Sequence, residues 1–285
     1  MLTGMVRNIT PKAMALGAKI RSVRDSGGLS QRGAAKKLGI ANSTMSRIES
    51  GESPPSPDEL VGILEVLGAT EAETEEILSL ASDTGGNAWL AVTLPEQQAQ
   101  LAALLDFEQM ATHITSVAPL LMPGLLQSSG YARAVMRAAG VPDDEVETRV
   151  AVRMGRRDIL VRTQPTVLLA LVGEGVLRRP IGGPRVLAEQ LDHLAKMAQL
   201  PNITVRVIPE DAGWHPALEG PFLLLGNSTT SLVHLENRRS ALFLNDDDDI
   251  AAYVEAVDRT LKVAIDAEQT AALIAREAER IRRSA

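Results

Sequence analysis

The chain has 285 residues, 45% of them apolar, so it is too long for one small module and apolar enough to exclude wholesale disorder. It has two Trp, two Tyr and three Phe, so its cores must rest on Leu, Val, Ile, Ala and Met; the absence of Cys excludes disulfide scaffolds, thiolate metal sites and thiol nucleophiles, and fits a reducing cytoplasm. The net charge of -7 argues against a generic nucleic-acid coat, but the charge is unevenly spread. Residues 1–51 hold nine Lys/Arg against Asp25 and Glu49, while 52–285 hold twenty Lys/Arg against thirty-four acids. A basic head can meet phosphates while an acidic body repels them. No apolar run approaches the ~20 residues of a membrane span, and Met1-Leu2-Thr3-Gly4-Met5 is not followed by a signal-peptide core. The expectation is a soluble, cytoplasmic protein.

In chain order, the head reads as five helices. Leu16, Ile20 and Val23 recur on one helical face. Ser30 caps a second helix carrying Ala34, Ala35 and Leu38, which Gly39 breaks. A third, about 42–50, carries Met45 and Ile48 inward. The connector Ser53-Pro54-Pro55-Ser56-Pro57 leads to a fourth helix, with Leu60, Ile63, Leu64 and Leu67 on its face. A fifth spans about 71–81. The polar stretch Asp83-Thr84-Gly85-Gly86-Asn87 marks a boundary. The division is therefore a head at 1–84, a linker at 85–93 and a body at 94–285. In the body, helices are expected near 96–110, 128–139, 143–161, 185–199, 247–264 and 267–283. Strands are expected at 166–172, 203–208, 222–225, 231–235 and 241–244. The fold class is thus an all-α head and a mixed α/β (α+β) body.

Residues 31–51 carry the chemistry. Two helices crossing over a tight turn need a small crossing residue (Ala35), a turn residue tolerant of positive φ (Gly39) and inward anchors (Met45, Ile48). The outer face must offer short polar groups to base edges, and Asn42, Ser43, Thr44, Ser46 and Arg47 are of that kind. Asn42 reads equally as a helix cap.

The run Leu29-Ser30-Gln31, Ala35, Leu38-Gly39 and Ser43-Thr44-Met45-Ser46-Arg47-Ile48-Glu49-Ser50-Gly51 resembles the Xre family of phage-repressor-type helix-turn-helix proteins. The resemblance implies a recognition helix at 42–50 in the major groove, with base-reading roles for Asn42, Ser43 and Arg47 and a phosphate contact for Gln31. It also implies a structural ion pair between Arg24 and Glu49. Gly33 and Ala34 depart from the family pattern and are expected to loosen the second helix.

Four body segments resemble the regulator domain behind Xre heads in actinobacterial proteins of the WhiJ-like class. They are Pro123-Gly124-Leu125-Leu126-Gln127, Tyr131-Ala132, Arg178-Arg179-Pro180-Ile181-Gly182-Gly183-Pro184 and Pro201-Asn202-Ile203-Thr204-Val205. This resemblance implies transcriptional control and an antitoxin-like partnership with a small acidic protein.

Read from residues alone, the body offers Glu174 and Arg178 as pocket groups, or Glu174 as the partner of Arg178 or Arg179. Trp214 and His215 in a Gly/Pro loop read as a ligand or partner contact, or as a loop plug. Asn245-Asp246-Asp247-Asp248-Asp249 reads as a helix start rather than a cation site. Arg149, Arg153 and Arg156 read as a solvated face, with Glu145 paired to Arg149. His113, His193, His215 and His234 show no metal-type interval, so no metal or cofactor is expected. No nucleophile–base set or phosphate loop is visible, so no catalytic residue is assigned.

The leading reading is a homodimeric, sequence-specific regulator binding a double-stranded operator, its body serving dimerisation, a partner or a small-molecule effector. The alternatives are an antitoxin-like binding protein and an enzyme tethered by its head. Because the head shows no obvious second apolar face, dimer contacts are expected in 94–285, with the alanine-rich helix 267–283 as a candidate.

Overall fold

The computed structural model describes residues 9–81, 88–227 and 231–284. It opens with helices α1 (Pro11–Ser26), α2 (Gln31–Leu38), α3 (Asn42–Glu49), α4 (Pro57–Leu67) and α5 (Glu71–Ala81). Strand β1 (Ala88–Ala91), helix α6 (Leu94–Met110) and strand β2 (His113–Ala118) follow, then α7 (Ser129–Ala138), α8 (Asp143–Gly155), β3 (Val167–Gly173), α9 (Pro184–Met197) and β4 (Ile203–Ile208). Strands β5 (Phe222–Gly226), β6 (Ser231–Glu236) and β7 (Ala241–Leu244) lead to α10 (Asp247–Val263) and α11 (Ala267–Ser284). The all-α head and the α+β remainder match the expected class, while the boundary motif at 83–87 lies outside the described residues.

Helix starts follow local chemistry. Thr10 accepts from the Ala13 N–H at 3.2 Å, with Pro11 at the first helical position of α1. Ser30 accepts from the Gly33 N–H at 3.1 Å at the start of α2. Ser56 and Glu59 form a reciprocal capping box before α4, and the bonds from Ser56 hold the Glu59 carboxyl below its ordinary range.

Contacts divide the chain into two compact units. The first comprises Met1–Met110 and Ser228–Asp249. Its helical core is built on Leu16, Ile20, Ala34, Ala35, Met45, Leu60, Leu64 and Ile77. Helix α6 packs against α1, and β1, β7 and β6 pair antiparallel in that order. Here the structure departs from the division read off the sequence. Residues 88–91 of the expected linker form a strand, and 94–110 join the head. Buried Trp89 lies 5.9 Å from Phe243 across the β1–β7 pair, and Gln100 of α6 donates to the Trp89 carbonyl at 2.5 Å. The reason is visible in α1, where Ala13, Met14, Ala15, Leu16 and Gly17 are all buried. A run of five successive buried residues needs cover on more than one side of the helix, so the head does have a second apolar face, and α6 occupies it.

The second unit comprises Ala111–Asn227 and Ile250–Ala285. Its strands run in the order β5-β2-β3-β4, with β2, β3 and β4 parallel and β5 antiparallel to β2. Strand β2 had no counterpart among the expected strands. Its Thr115 and Ser116 break the apolar run, and pairing on both sides by β3 and β5 makes it a strand. The β4 edge is covered: Val207 accepts from the Ile265 N–H at 2.9 Å and donates to Thr270 Oγ1 at 3.0 Å. Helix α11 lies on α9 and β4, with Thr270, Leu273, Ile274, Glu277, Ala278 and Ile281 buried. The Leu273, Ile274 and Ile281 side of the helix named as a dimerisation candidate is thus buried inside its own unit, while Ala267, Ala271, Ala272 and Ala275 are exposed.

Candidate nucleic-acid interface

Helices α2 and α3 are joined by a short turn in which Gly39 adopts φ +69°. That left-handed conformation strains any residue with a Cβ. Ala35 is buried at the crossing, and Met45 and Ile48 anchor α3 inward. On the other side of α3, Asn42, Ser43, Thr44, Ser46 and Arg47 are all exposed. The helix begins after Ala41, with no side-chain cap bond, so Asn42 is the first helical residue and its amide does not cap. Arg47 makes a loose exposed pair with Glu52 at 3.7 Å.

Behind this surface lies a buried polar network. Arg24 of α1 donates to Glu49 of α3 through Nε at 2.5 Å and Nη2 at 3.2 Å, with side chains only 9% and 1% exposed. Arg24 Nη1 also donates to Asp25 at 2.6 Å and to the Leu29 carbonyl at 2.7 Å. The hydrogen bond to Glu49 raises the Arg24 pKa against the opposing effect of burial. Gln31, half-buried at the start of α2, gives an amide N–H to Glu49 Oε2 at 2.9 Å. Three helices are therefore tied to one carboxylate, which fixes the angle at which α3 presents its outer face. One donor of Gln31, assigned by resemblance to phosphate, is spent on this network.

Two contributors escaped the sequence reading. Arg21 donates to the Glu49 carbonyl at 3.2 Å, bonding the C-terminal end of α3; its signal was its position one turn before Arg24. Gly17 lets α1 pass α3 closely, since a Cβ there would lie 2.5 Å from the Glu49 carbonyl oxygen.

The body residues separate into two groups. Glu174 and Arg178 meet at 2.6 Å, and Arg178 also reaches Glu277 at 3.1 Å and Glu210 at 3.6 Å. Trp214 and His215 follow β4. Trp214 is exposed, with the Arg259 guanidinium 5.1 Å from its ring centroid, whereas His215 is buried and its Nδ1 makes no hydrogen bond among the described residues. Burial pushes the His215 imidazole below its ordinary pKa, favouring the neutral ring. Asp247, Asp248 and Asp249 occupy the first turn of α10, and no group of three His, Cys, Asp or Glu able to hold a metal occurs among the described residues. Arg149 pairs with Glu145 at 2.6 Å, and Arg153 donates to Gln127 Oε1 at 3.0 Å. Among the described residues no helix is long and apolar enough to cross a membrane.

Two short helices joined by a tight left-handed turn, with a polar outer face on a basic head, are the arrangement of a helix-turn-helix, and residues 15–77 match the model of the family described as a helix-turn-helix domain. The chain as a whole belongs to the family described as a domain of unknown function, DUF5753, whose model matches residues 101–276. No curated protein matches the chain. A solved structure of TrmBL2, an archaeal chromatin protein described as showing a novel mode of DNA binding, aligns over 84% of this chain and 88% of its own. With 14% identity and a TM-score of 0.29, that likeness carries no argument.

Proposed function

We propose that this protein is a sequence-specific transcriptional regulator of the Xre, WhiJ-like kind that reads DNA through the outer face of α3. The observation that carries the reading is the split of α3. Met45, Ile48 and Glu49 are buried, while Asn42, Ser43, Thr44, Ser46 and Arg47 face solvent on a module in which Arg32, Lys36 and Lys37 are also exposed. Short polar groups address base edges, and the surrounding cations address phosphates. The protein has no catalytic role in this reading and works in the cytoplasm.

One recognition helix covers too few base pairs to select a genomic site, so the regulator acts as a homodimer on an inverted repeat with half-sites about one helical turn apart. The remainder of the chain supplies partner binding or effector sensing. The test is selection of duplexes from a random library by the full-length chain, followed by binding of the selected and a scrambled duplex at one salt concentration. Arg47→Ala is expected to lose about 1–3 kcal/mol of discrimination between the two. An unchanged ratio removes Arg47 as a reader, and failure to enrich any sequence removes the specific-regulator reading.

A further inference from the structure

The parallel strands β2, β3 and β4 all end at one edge of the second unit. Their exits carry Leu120 and Leu121 after β2, Glu174 and Arg178 after β3, and Glu210 and Trp214 after β4. Strand β5 starts at the same edge, because Val117 pairs with Phe222, and Leu218 lies in the short turn Pro216–Glu219 that leads into it. Loops at the carboxyl ends of parallel strands are where α/β sheets place their binding groups.

This edge is unusually apolar for a surface. Leu120, Trp214 and Leu218 are 56%, 60% and 60% exposed, and Leu121 is exposed as well. An exposed Trp with an Arg stacked on it is the composition of an interaction hot spot, and grouped exposed apolar side chains mark contact surfaces. The adjoining segments are acidic: Glu210, Asp211 and Glu219 are exposed between β4 and β5, and Glu255 and Asp258 are exposed on α10 near Arg259 in the chain. Arg178 is held by Glu174, Glu210 and Glu277, and Arg259 pairs with Glu255 at 3.8 Å, so the excess negative charge is carried by Asp211, Glu219 and Asp258. Arg179 gives a hydrogen bond to the Leu120 carbonyl.

We propose that this edge docks a basic amphipathic protein segment, with apolar side chains seated over Trp214 and Leu218 and Lys or Arg facing the adjoining acidic segments. A second copy of the same surface is disfavoured, because two acidic surfaces would meet in an isologous contact. An acidic partner, which the family resemblance implied, would meet the same repulsion here. The inference deepens the reading of this region as a partner-binding domain and is independent of whether α3 reads DNA.

The test uses the full-length chain and two labelled peptides of one amphipathic pattern, leucine–lysine and leucine–glutamate, followed by fluorescence anisotropy at physiological salt. The leucine–lysine peptide is expected to bind and the leucine–glutamate peptide not to. Trp214→Ala and Leu218→Ser should each weaken binding about tenfold or more, and Glu219→Lys with Asp258→Lys should weaken it in a salt-dependent way. Val161→Ser, an exposed apolar change outside the patch, should leave it unaltered. Both patch residues are largely solvent-facing, so thermal melts of the variants should match the parent. Equal binding of both peptides, binding by neither, or binding indifferent to Trp214→Ala overturns the proposal. So does a sedimenting dimer that Trp214→Ala dissociates, which would give the surface to a second copy. Duplex selection by the same preparation reports on the DNA-binding reading separately.

Discussion

Two buried glutamates, one in each unit, are held by arginines in different ways. Glu49 is enclosed with its partner: its side chain is 1% exposed and that of Arg24 is 9%. Glu277 is 4% exposed, but Arg178 and Arg280 are 37% and 52% exposed and reach it from the surface. A buried carboxylate is costly in proportion to what its partner loses when the pair is broken. In the head, removing the acid strands a buried guanidinium. At Glu277, removal of the acid leaves Arg280 in water and Arg178 at the surface with Glu174 and Glu210. The first network therefore acts as a rigid joint for α3, and the second as a surface clasp on α11.

The sharpest way to break this comparison is Glu49→Ala, which should destabilise the head by about 3–5 kcal/mol because Arg24 is left buried and charged. Thermal and urea melts of the full-length chain check this, and a loss below about 1 kcal/mol would mean that the pair is solvated. Glu277→Ala is expected to cost less, about 1.5–3 kcal/mol, as befits charge-assisted hydrogen bonds whose donors can be rehydrated. A cost equal to that of Glu49→Ala would erase the distinction.

The clasp also predicts a pH dependence. Burial pushes the Glu277 carboxyl up, but hydrogen bonds from Arg280 and Arg178 outweigh it, so its folded pKa lies below the ordinary 4.5. Its contribution is fully present above the unfolded value and is lost as pH falls through the lower folded value. The stability gap between the parent and Glu277→Gln should therefore be wide at neutral pH and narrow progressively as the pH falls below the ordinary carboxylate range. A gap that widens in acid would reverse the sign.

Gly17→Ala sharpens the same comparison from the backbone side. The added methyl would meet the Glu49 carbonyl oxygen at 2.5 Å, and forcing α1 from α3 should cost about 1–3 kcal/mol. Binding of the selected duplex should weaken with it, since α1 sets the angle of α3. The smallest effect on stability is expected for Arg47→Ala, within about 0.5 kcal/mol, because Arg47 is exposed and only loosely paired. Melts that move further would place Arg47 in the joint rather than on the reading face.

Much of the head was legible because its signals are local. Ser30, Gly39, Met45 and Ile48 act within one or two turns of themselves, where capping, positive φ and helical period operate. The separation of α3 into a buried and an exposed face follows from the same period. The linker assignment at 85–93 shows the limit. Trp89 forms a strand because it meets Phe243, and no short window contains both residues. Likewise Thr115 and Ser116 of β2 sit in a strand because β3 and β5 flank them.

By itself, then, the sequence determined the five-helix head, the polar outer face of its third helix, the segregation of basic from acidic charge and the mixed character of the remainder, all of which depend on side-chain type and near-neighbour spacing. Only the tertiary structure decided that 94–110 and 228–249 group with the head, that Gln31 gives a hydrogen bond to Glu49 and that α11 is occupied by α9. It likewise decided that the exits of β2, β3 and β4 share one edge. Each of these depends on pairing between residues far apart in the chain, and the free energy of such a pairing is set by the shape and charge of a partner that local periodicity does not encode.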